Sequence, residues 1–269
     1  MADMTVSKAN SAKIRELWAR CEPRISSANC VEDVACAVVD QLYEEFSDSL
    51  VLARLFLSVP FQSLPDRQRQ SASEMARSAQ LESLLTPTTP VHSLLASRGA
   101  VLEWNDVAKS RGHVAIPLLS QEFVGSIPMM SRLLKDLLLP LTWVQDPRGL
   151  MLAQTIGSEA GYFHVLDAAN DRDEQGRLII PAQEFVSAHG VKSVFAVGGM
   201  VFGGAVLVII LFSLEHVEVR TVRTFIPLIG LLRAALIARY STSRIFRSTA
   251  RGGTNLATPR PIPSHADSR

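Results

Sequence analysis

Residues 103–113, EWNDVAKSRGH, form the densest group of chemically versatile polar side chains in this sequence. The guanidinium of Arg111 is planar and can bind a carboxylate or a phosphate through two parallel hydrogen bonds. Trp104 offers a flat face for stacking, and His113 can gain or lose a proton near neutral pH. Together with Asn105, these residues are a candidate surface for binding a small ligand or a protein partner.

The same stretch also has a purely structural interpretation. Asn and Asp side chains commonly bond to nearby backbone groups in turns. In that case Asn105 and Asp106 would cap the backbone of an ordered turn, and Arg111 would pair with an acidic side chain. The sequence leaves both interpretations open.

His164 is a further candidate, and it lies within GYFHVLDA at residues 161–168. If this segment is a strand, His164 and Leu166 share one face while Phe163 and Val165 take the other. A histidine with apolar neighbours is either hydrogen-bonded inside the core or part of the lining of a ligand pocket. Haem ligation would need a second motif, which the sequence does not supply.

No catalytic or metal-binding motif accompanies these residues. The chain has no G-x-S-x-G elbow, P-loop or G-x-G-x-x-G motif, and the H-x-E at His216 and Glu218 lacks the P-C-x-x-C of zinc deaminases. Cys21, Cys30 and Cys36 show no CxxC spacing, which indicates either reduced thiols or a redox-sensing pair. We therefore expect a non-enzymatic protein without a metal site, and the sequence leaves any cofactor unknown.

The spacing of apolar residues predicts the elements that must position the candidate residues. Residues 11–21 predict a short helix, and a second helix begins after Asn29, with Glu32 placed as in a capping box. We expect a polar surface insertion at about 61–90, a helix capped by Ser126 and running to residue 139, and a long helix over residues 217–240. Continuous apolar stretches predict strands at 50–60, 91–99, 113–120 and 161–168.

The apolar run SVFAVGGMVFGGAVLVIILFS, at residues 193–213, is long enough to cross a membrane as a helix. Gly203 and Gly204 instead divide it into two nine-residue arms, as in a hairpin whose turn needs positive φ. The β-branched residues of the second arm favour a strand. One orientation across a membrane would translocate the long N-terminal part, which has no signal peptide, and the other would place the arginine-rich C-terminal side outside, against the positive-inside rule. We therefore predict a buried hairpin.

Charge is distributed unevenly along the chain. The formal net charge is +1, yet the segment from Arg239 to the end holds six arginines and one acid, Asp267. Elsewhere Lys and Arg are scattered among acids, so we expect no nucleic-acid groove. The N-terminus lacks the pattern of a signal peptide, which predicts a cytoplasmic protein. Residues 241–269 have the composition of a disordered basic tail.

Five stretches, taken in order, carry a resemblance to a known family. They are LARLFLSVPFQSLP (52–65), EWNDVAKSRGHVAIPL (103–118), IPMMSRLL (127–134), YFHVLDA (162–168) and IPAQEFVSAHGVKSVFAVGGM (180–200). They resemble the GAF-like sensory region of bacterial signalling proteins, a type often found ahead of kinase or cyclase outputs. The resemblance implies an α+β fold in which a central antiparallel sheet is flanked by N- and C-terminal helices.

The resemblance also implies an organisation and a function. Residues 1–48 would form helices packed on the domain or on a dimer partner, residues 49–240 the GAF-like domain with its insertion, and residues 241–269 the tail. The expected function is that of a stand-alone sensory or regulatory module in signal transduction, which binds a small ligand or a protein partner. We expect a homodimer through the terminal helices and neither a membrane nor a nucleic-acid partner.

Two other functions compete with this expectation. The same fold with a filled interior would act as a structural or adaptor protein, through contacts of its helices and basic tail. A single-span membrane protein would use residues 193–213 as its anchor. A packed interior without a ligand would favour the adaptor, and a long apolar helix would favour the anchor.

Overall fold

The structure is a computed structural model that describes residues 4–110, 113–139, 160–201, 204–242 and 244–247. Within these residues, helices and strands alternate in an α+β order. The helices are α1 (Ser11–Ser27), α2 (Val31–Glu45), α3 (Asp66–Ser78), α4 (Gln121–Gly125), α5 (Pro128–Asp136), α6 (Gln183–His189), α7 (Val219–Arg223) and α8 (Pro227–Ser241). The strands are β1 (Leu50–Pro60), β2 (Pro90–Gly99), β3 (Ala115–Pro117), β4 (Gly161–Val165), β5 (Ser193–Met200) and β6 (Val206–Ser213).

The six strands form one sheet in the order β3-β2-β1-β6-β5-β4, and every neighbouring pair is antiparallel. Helices α1, α2 and α8 cover one face of this sheet and bury its largest apolar cluster. The expected class, an α+β fold with a central antiparallel sheet between terminal helices, is therefore confirmed. We call the opposite face of the sheet, which carries the second apolar cluster, the inner face.

The apolar run at residues 193–213 forms the predicted hairpin. Strands β5 and β6 pair from Ser193 with Ser213 to Met200 with Val206, and the N–H of Val201 donates to the carbonyl of Ala205 at 2.7 Å. Gly204 has φ of +80°, a conformation that glycine adopts without strain. Gly203 lies outside the described residues. Every residue of both strands is buried because both faces of the sheet are covered.

No helix in the described part of the chain is long and apolar enough to span a membrane. The predicted long helix at 217–240 is in fact two helices, α7 and α8, and Pro227 is the first residue of the second. Proline suits this position because its missing N–H has no partner in the first helical turn.

The predicted capping box at α2 is wrong. Cys30, and not Asn29, precedes the helix, and no side chain caps it from that position. The N–H groups of Val31 and Glu32 instead donate to the carbonyls of Arg244 and Ile245, each at 2.9 Å. The free N–H groups of the first turn are thus satisfied by a distant part of the chain, which local sequence does not reveal.

Other boundaries also differ from the prediction. Helix α1 runs to Ser27 and passes through Pro23, and Ser126 ends α4 while Ile127 precedes α5. Strand β3 has only three residues. The stretch at 61–90 contains α3. Of the expected tail, residues 248–269 lie outside the described part of the chain.

Helix α5 lies close to the inner face because two glycines oppose each other beneath it. Gly161 of β4 pairs with Gly198 of β5. A Cβ on either glycine would lie 3.2 Å from a methyl group of Leu137, the residue that follows α5. The inner face is therefore filled by α5 at this half of the sheet.

We expect Gly198→Ala to lower the free energy of unfolding by about 1–3 kcal/mol, because overpacking forces the backbone to shift. The new Cβ would lie 2.6 Å from the carbonyl oxygen of Leu207, which is held in the neighbouring strand. Urea denaturation measures the loss. Gly230→Ala is the control, since a Cβ there meets nothing within 4 Å, and it should gain about 0.5–1 kcal/mol from helix propensity. Equal stability of wild type and Gly198→Ala would contradict the packing argument.

Candidate functional site

The connection between β2 and β3 holds four of the five predicted site residues, and two of them, Trp104 and Asn105, have structural contacts. The side-chain oxygen of Asn105 accepts a hydrogen bond from the N–H of Gly99 at 2.8 Å. Trp104 lies over the same glycine, and its ring packs edge-on against Phe185 and His189, with centroid distances of 5.4 and 4.7 Å. Asp106 accepts from the N–H of Ala108 at 2.8 Å, as in an ordered turn.

The other predicted site residues do not form one cluster with Trp104 and Asn105. Arg111 lies outside the described residues, and His113 lies on the surface beside them. His164 is on β4, and its Nε2–H donates to the carbonyl of Val217 at 2.7 Å. His164 thus ties β4 to the residues before α7. Its Cα partner, Phe195, belongs to the apolar cluster under the terminal helices, whereas Trp104 packs with the second cluster on the inner face.

A second polar group, which sequence reasoning missed, lies on the inner face of β1 and β2. Arg54 of β1 pairs with Ser97 of β2, and Ser58 pairs with His92. Alternation along β1 places Arg54 and Ser58 on the side of Phe56, whose side chain belongs to the second apolar cluster, and their Cα partners Ser97 and His92 lie on the same side of the sheet. We call these four residues the polar inner face. The sequence does contain a signal for this polar face, because Arg54 and Ser58 lie four positions apart in an otherwise apolar predicted strand.

The arginine end of the polar inner face is fixed by hydrogen bonds. Nη2–H of Arg54 donates to the hydroxyl of Ser110 at 2.7 Å, and Ser110 is itself buried. Arg67 of α3 donates to the carbonyls of Val107 and Ser110, each at 3.0 Å. Burial lowers the pKa of Arg54 to about 10, which leaves it charged at neutral pH. Partial desolvation, and then the charge of Arg54, lower the pKa of His113.

The other end of the polar inner face, at His92, carries no charge. The ring of His92 is 3% exposed and stacks on Phe56, with centroids 5.2 Å apart and planes 13° from parallel. Its Nδ1 shares a hydrogen bond with the hydroxyl of Ser58 at 3.3 Å. Burial lowers the pKa of His92 to about 3, so the ring is uncharged at neutral pH.

Two polar atoms of this face have no hydrogen-bond partner among the described residues. They are Nε2 of His92 and the hydroxyl of Ser97, a residue that is 7% exposed. A buried polar group without a partner is unusual in a folded protein, because leaving it unpaired costs about 1–3 kcal/mol. Both atoms therefore have a hydrogen bond to offer that the described residues do not satisfy.

The chemistry available on this face is that of binding. Ser58 and His92 resemble a nucleophile and its base, but a histidine with a pKa of about 3 is a poor base at neutral pH. The described residues contain no cluster of side chains that could hold a metal ion. Burial raises the pKa of the Cys21 thiol to about 12 and that of Cys36 to about 11. These two thiols are therefore protonated and unreactive at neutral pH.

A cleft beside α5 is a second candidate for a binding site. It is lined in part by Arg132, Lys135 and Arg177. Each of these cations has a carboxylate partner nearby: Arg132 with Asp136 at 2.9 Å, Arg177 with Asp173 at 2.7 Å, and Lys135 with Glu174. The charges in this cleft are compensated, so the cleft offers little net charge for a ligand to bind.

No protein-family model and no curated protein sequence matches this chain. Among solved structures it is similar to GAF domains. The GAF domain of a phosphoenolpyruvate-protein phosphotransferase from Acinetobacter is 13% identical, with 86% of this chain and 98% of that one covered and a TM-score of 0.42. A phycocyanobilin-bound GAF domain from a cyanobacterial phytochrome is 11% identical, with 85% and 96% covered and a TM-score of 0.43.

An enzyme is also among the similar structures. The free methionine-R-sulfoxide reductase of Neisseria meningitidis, in complex with its substrate, is 12% identical, with 90% of this chain and 98% of that one covered and a TM-score of 0.43. GAF domains are thus what this chain resembles in structure, as the sequence resemblance predicted. At TM-scores below 0.5 these likenesses carry no inference about a ligand or an activity.

Proposed function

We propose that this protein is a non-enzymatic sensory or regulatory module of GAF-like fold, which binds a small molecule on its polar inner face. The observation that carries the proposal is the pair of unpartnered buried atoms, Nε2 of His92 and the hydroxyl of Ser97. They lie on the face that the terminal helices leave uncovered, among the residues of the second apolar cluster. The resemblance of residues 50–240 to sensory regions of signalling proteins supports the same function.

We further propose that the module is cytoplasmic and passes its signal to a partner through its terminal helices, either a second copy or another protein. Helix α8 buries Leu228, Leu232 and Leu236 against the sheet, while Ile237 is 56% exposed. Arg239 donates to the carbonyls of Ile25 and Ala28 at the end of α1, at 2.7 and 3.0 Å. A change on the sheet would therefore reach α1 and α8 together.

Binding is tested by native mass spectrometry of the purified protein, compared with its mass after denaturation. We expect a bound small molecule that Ser97→Val releases or weakens about tenfold, the loss expected for one hydrogen bond. Ser93→Val is the matched control. Ser93 lies on the same strand, is fully buried and also has an unpartnered hydroxyl, but its Cα partner is Leu57, on the side of the terminal helices.

Two outcomes would contradict the proposal. If wild type carries no small molecule and none of a panel of candidate ligands raises its melting temperature, the adaptor function is favoured. If Ser93→Val and Ser97→Val weaken binding equally, the bound molecule lies elsewhere.

A further inference from the structure

The last four described residues, 244–247, lie across the start of α2. The carbonyls of Arg244 and Ile245 accept hydrogen bonds from the N–H groups of Val31 and Glu32, each at 2.9 Å. These are the first two N–H groups of the helix, which have no partner within it. We call residues 244–247 the clasp, since they join the chain beyond α8 to α2.

Two side chains of the clasp contact α2 and the core beneath it. Ile245 is 7% exposed and fills an apolar socket in the cluster that the terminal helices bury. Nε–H of Arg247 donates to the carboxylate of Asp33 at 2.7 Å, and its backbone N–H donates to the carboxylate of Glu32 at 2.8 Å. The second oxygen of Asp33 accepts from the N–H of Asn29 at 3.0 Å, which helps to hold this carboxylate beside the clasp. The surface beneath the clasp therefore consists of an apolar socket, two carboxylates and two backbone donors.

This surface matches the chemistry of an extended peptide. The two N–H donors bind backbone carbonyls on successive residues, and the socket takes an apolar side chain. The two carboxylates favour a basic side chain two positions later, and arginine is the basic residue best suited to bind carboxylates. Residues 244–247 supply this pattern themselves.

The clasp is held much more weakly than the helix before it. Helix α8 packs four almost completely buried side chains, those of Leu228, Ile229, Leu232 and Leu236. In the clasp only the side chain of Ile245 is buried, and that of Arg247 is 56% exposed, so solvent screens its ion pair with Asp33. The entropy lost by ordering four residues is of the same order as the free energy that these contacts return. The clasp is therefore poised to open while α8 stays on the sheet.

We propose that the clasp is releasable, and that the surface beneath it is a docking site for an extended partner peptide with an apolar residue followed two positions later by an arginine. In the closed state the chain's own residues 244–247 occupy this site, so a partner peptide binds by displacing them. The side chain of Arg239 holds α8 to the carbonyls of Ile25 and Ala28 whether the clasp is open or closed. Release thus exposes the start of α2 without detaching α8. This inference goes beyond the proposed function and does not depend on a small-molecule ligand.

Amide hydrogen exchange of the full-length protein, followed by NMR, tests whether the clasp opens by itself. The N–H groups of Val31 and Glu32 should be at least about tenfold less protected than the slowest amides of β5 and β6, because local opening needs less free energy than global unfolding. Ile245→Ser should speed their exchange about tenfold by emptying the socket, and Arg247→Ala about threefold, as expected for an exposed ion pair. Arg244→Ala is the matched control. It removes the same charge as Arg247→Ala, but among the described residues Arg244 bonds only through its backbone.

Two results of this experiment would overturn the inference. If Val31 and Glu32 exchange as slowly as the strands, the clasp opens only when the whole protein unfolds. If Arg244→Ala accelerates exchange as much as Arg247→Ala, the docking site does not require an arginine beside Asp33.

A labelled peptide with the sequence of residues 242–249, TSRIFRST, tests the docking site by fluorescence anisotropy. We expect it to bind full-length Ile245→Ser/Arg247→Ala about tenfold more tightly than wild type, because the chain's own clasp reduces the apparent affinity in proportion to the open fraction. A peptide in which serine replaces the isoleucine should not bind. Ile237→Ser/Arg244→Ala is the matched control, since it loses the same two side-chain types outside the contacts of the clasp. It should bind the peptide as wild type does.

The docking site is wrong if the peptide binds Ile245→Ser/Arg247→Ala no more tightly than wild type, or if it binds neither at millimolar concentration. Both outcomes are independent of the polar inner face, so the proposed function stands or fails on its own test.

Discussion

Acidification from pH 7 to pH 5 should lower the free energy of unfolding by about 2 kcal/mol through His92 alone. Burial lowers the pKa of His92 to about 3 in the folded protein, while an exposed histidine in the unfolded chain has a pKa of about 6.5. Between these two values the unfolded state binds one proton more than the folded state. The stability contributed by the neutral ring is therefore complete above pH 6.5 and is lost progressively as the pH falls towards 3.

The measurement is urea denaturation of wild type and His92→Phe at pH 7 and at pH 5. The variant cannot titrate at this position, so its loss between the two pH values should be smaller by about 2 kcal/mol. The pKa of His113 is also lowered, and its contribution has the same sign and is present in both proteins. Identical losses in wild type and His92→Phe would show that the ring is not held neutral in the folded state.

Phe225→Ala should destabilise the protein by about 3–5 kcal/mol, the range found for removing a buried phenylalanine. Phe225 lies between α7 and α8 and is fully buried. Its ring packs against Phe46 at a centroid distance of 5.8 Å and against Phe195 of β5 at 5.4 Å. Removing it leaves a cavity where α2, the sheet and the C-terminal helices meet, and rigid neighbours on three sides limit collapse.

Urea denaturation measures this loss in the free energy of unfolding, from the midpoint and the slope of the transition. Leu102→Ala is the control, because Leu102 is 81% exposed and its removal should change stability by less than about 0.5 kcal/mol. Phe225→Leu, which refills much of the volume, should recover more than half of the loss. A loss below about 1 kcal/mol in Phe225→Ala would mean that the aromatic cluster does not hold the C-terminal helices on the sheet.

Much of the fold could be read from patterns that depend on near neighbours. The stretch at residues 50–60 is short and mostly apolar, which favours a buried strand over a surface helix, and β1 occupies those residues. The glycines within residues 193–213 indicated a hairpin, because they suit a turn with positive φ and a continuous helix contains no such turn. Proline is disfavoured inside a helix, and the predicted helix at 217–240 divides in two where α8 begins, at Pro227. Each of these features follows from local backbone geometry or from the pattern of apolar residues within one segment.

The capping of α2 could not be predicted in the same way. The N–H groups of its first turn bond to the carbonyls of Arg244 and Ile245, and Arg247 donates to Asp33 at 2.7 Å. These partners are more than 200 positions away in the sequence. A local capping motif near Asn29 was present, but the tertiary contact satisfied the same groups and took its place.

The polar inner face shows most clearly what the sequence determined and what the tertiary structure decided. The sequence placed Arg54 and Ser58 four residues apart in an apolar strand, which puts them on one face. His92 and Ser97 are five apart, so simple alternation would put them on opposite faces. The register shift between Leu55 and Phe56 inserts Leu95 as an extra residue in β2 and turns Ser97 to the side of His92. The position of a bulge is decided only when the strands pair, because it depends on which backbone groups of two distant segments form hydrogen bonds with each other.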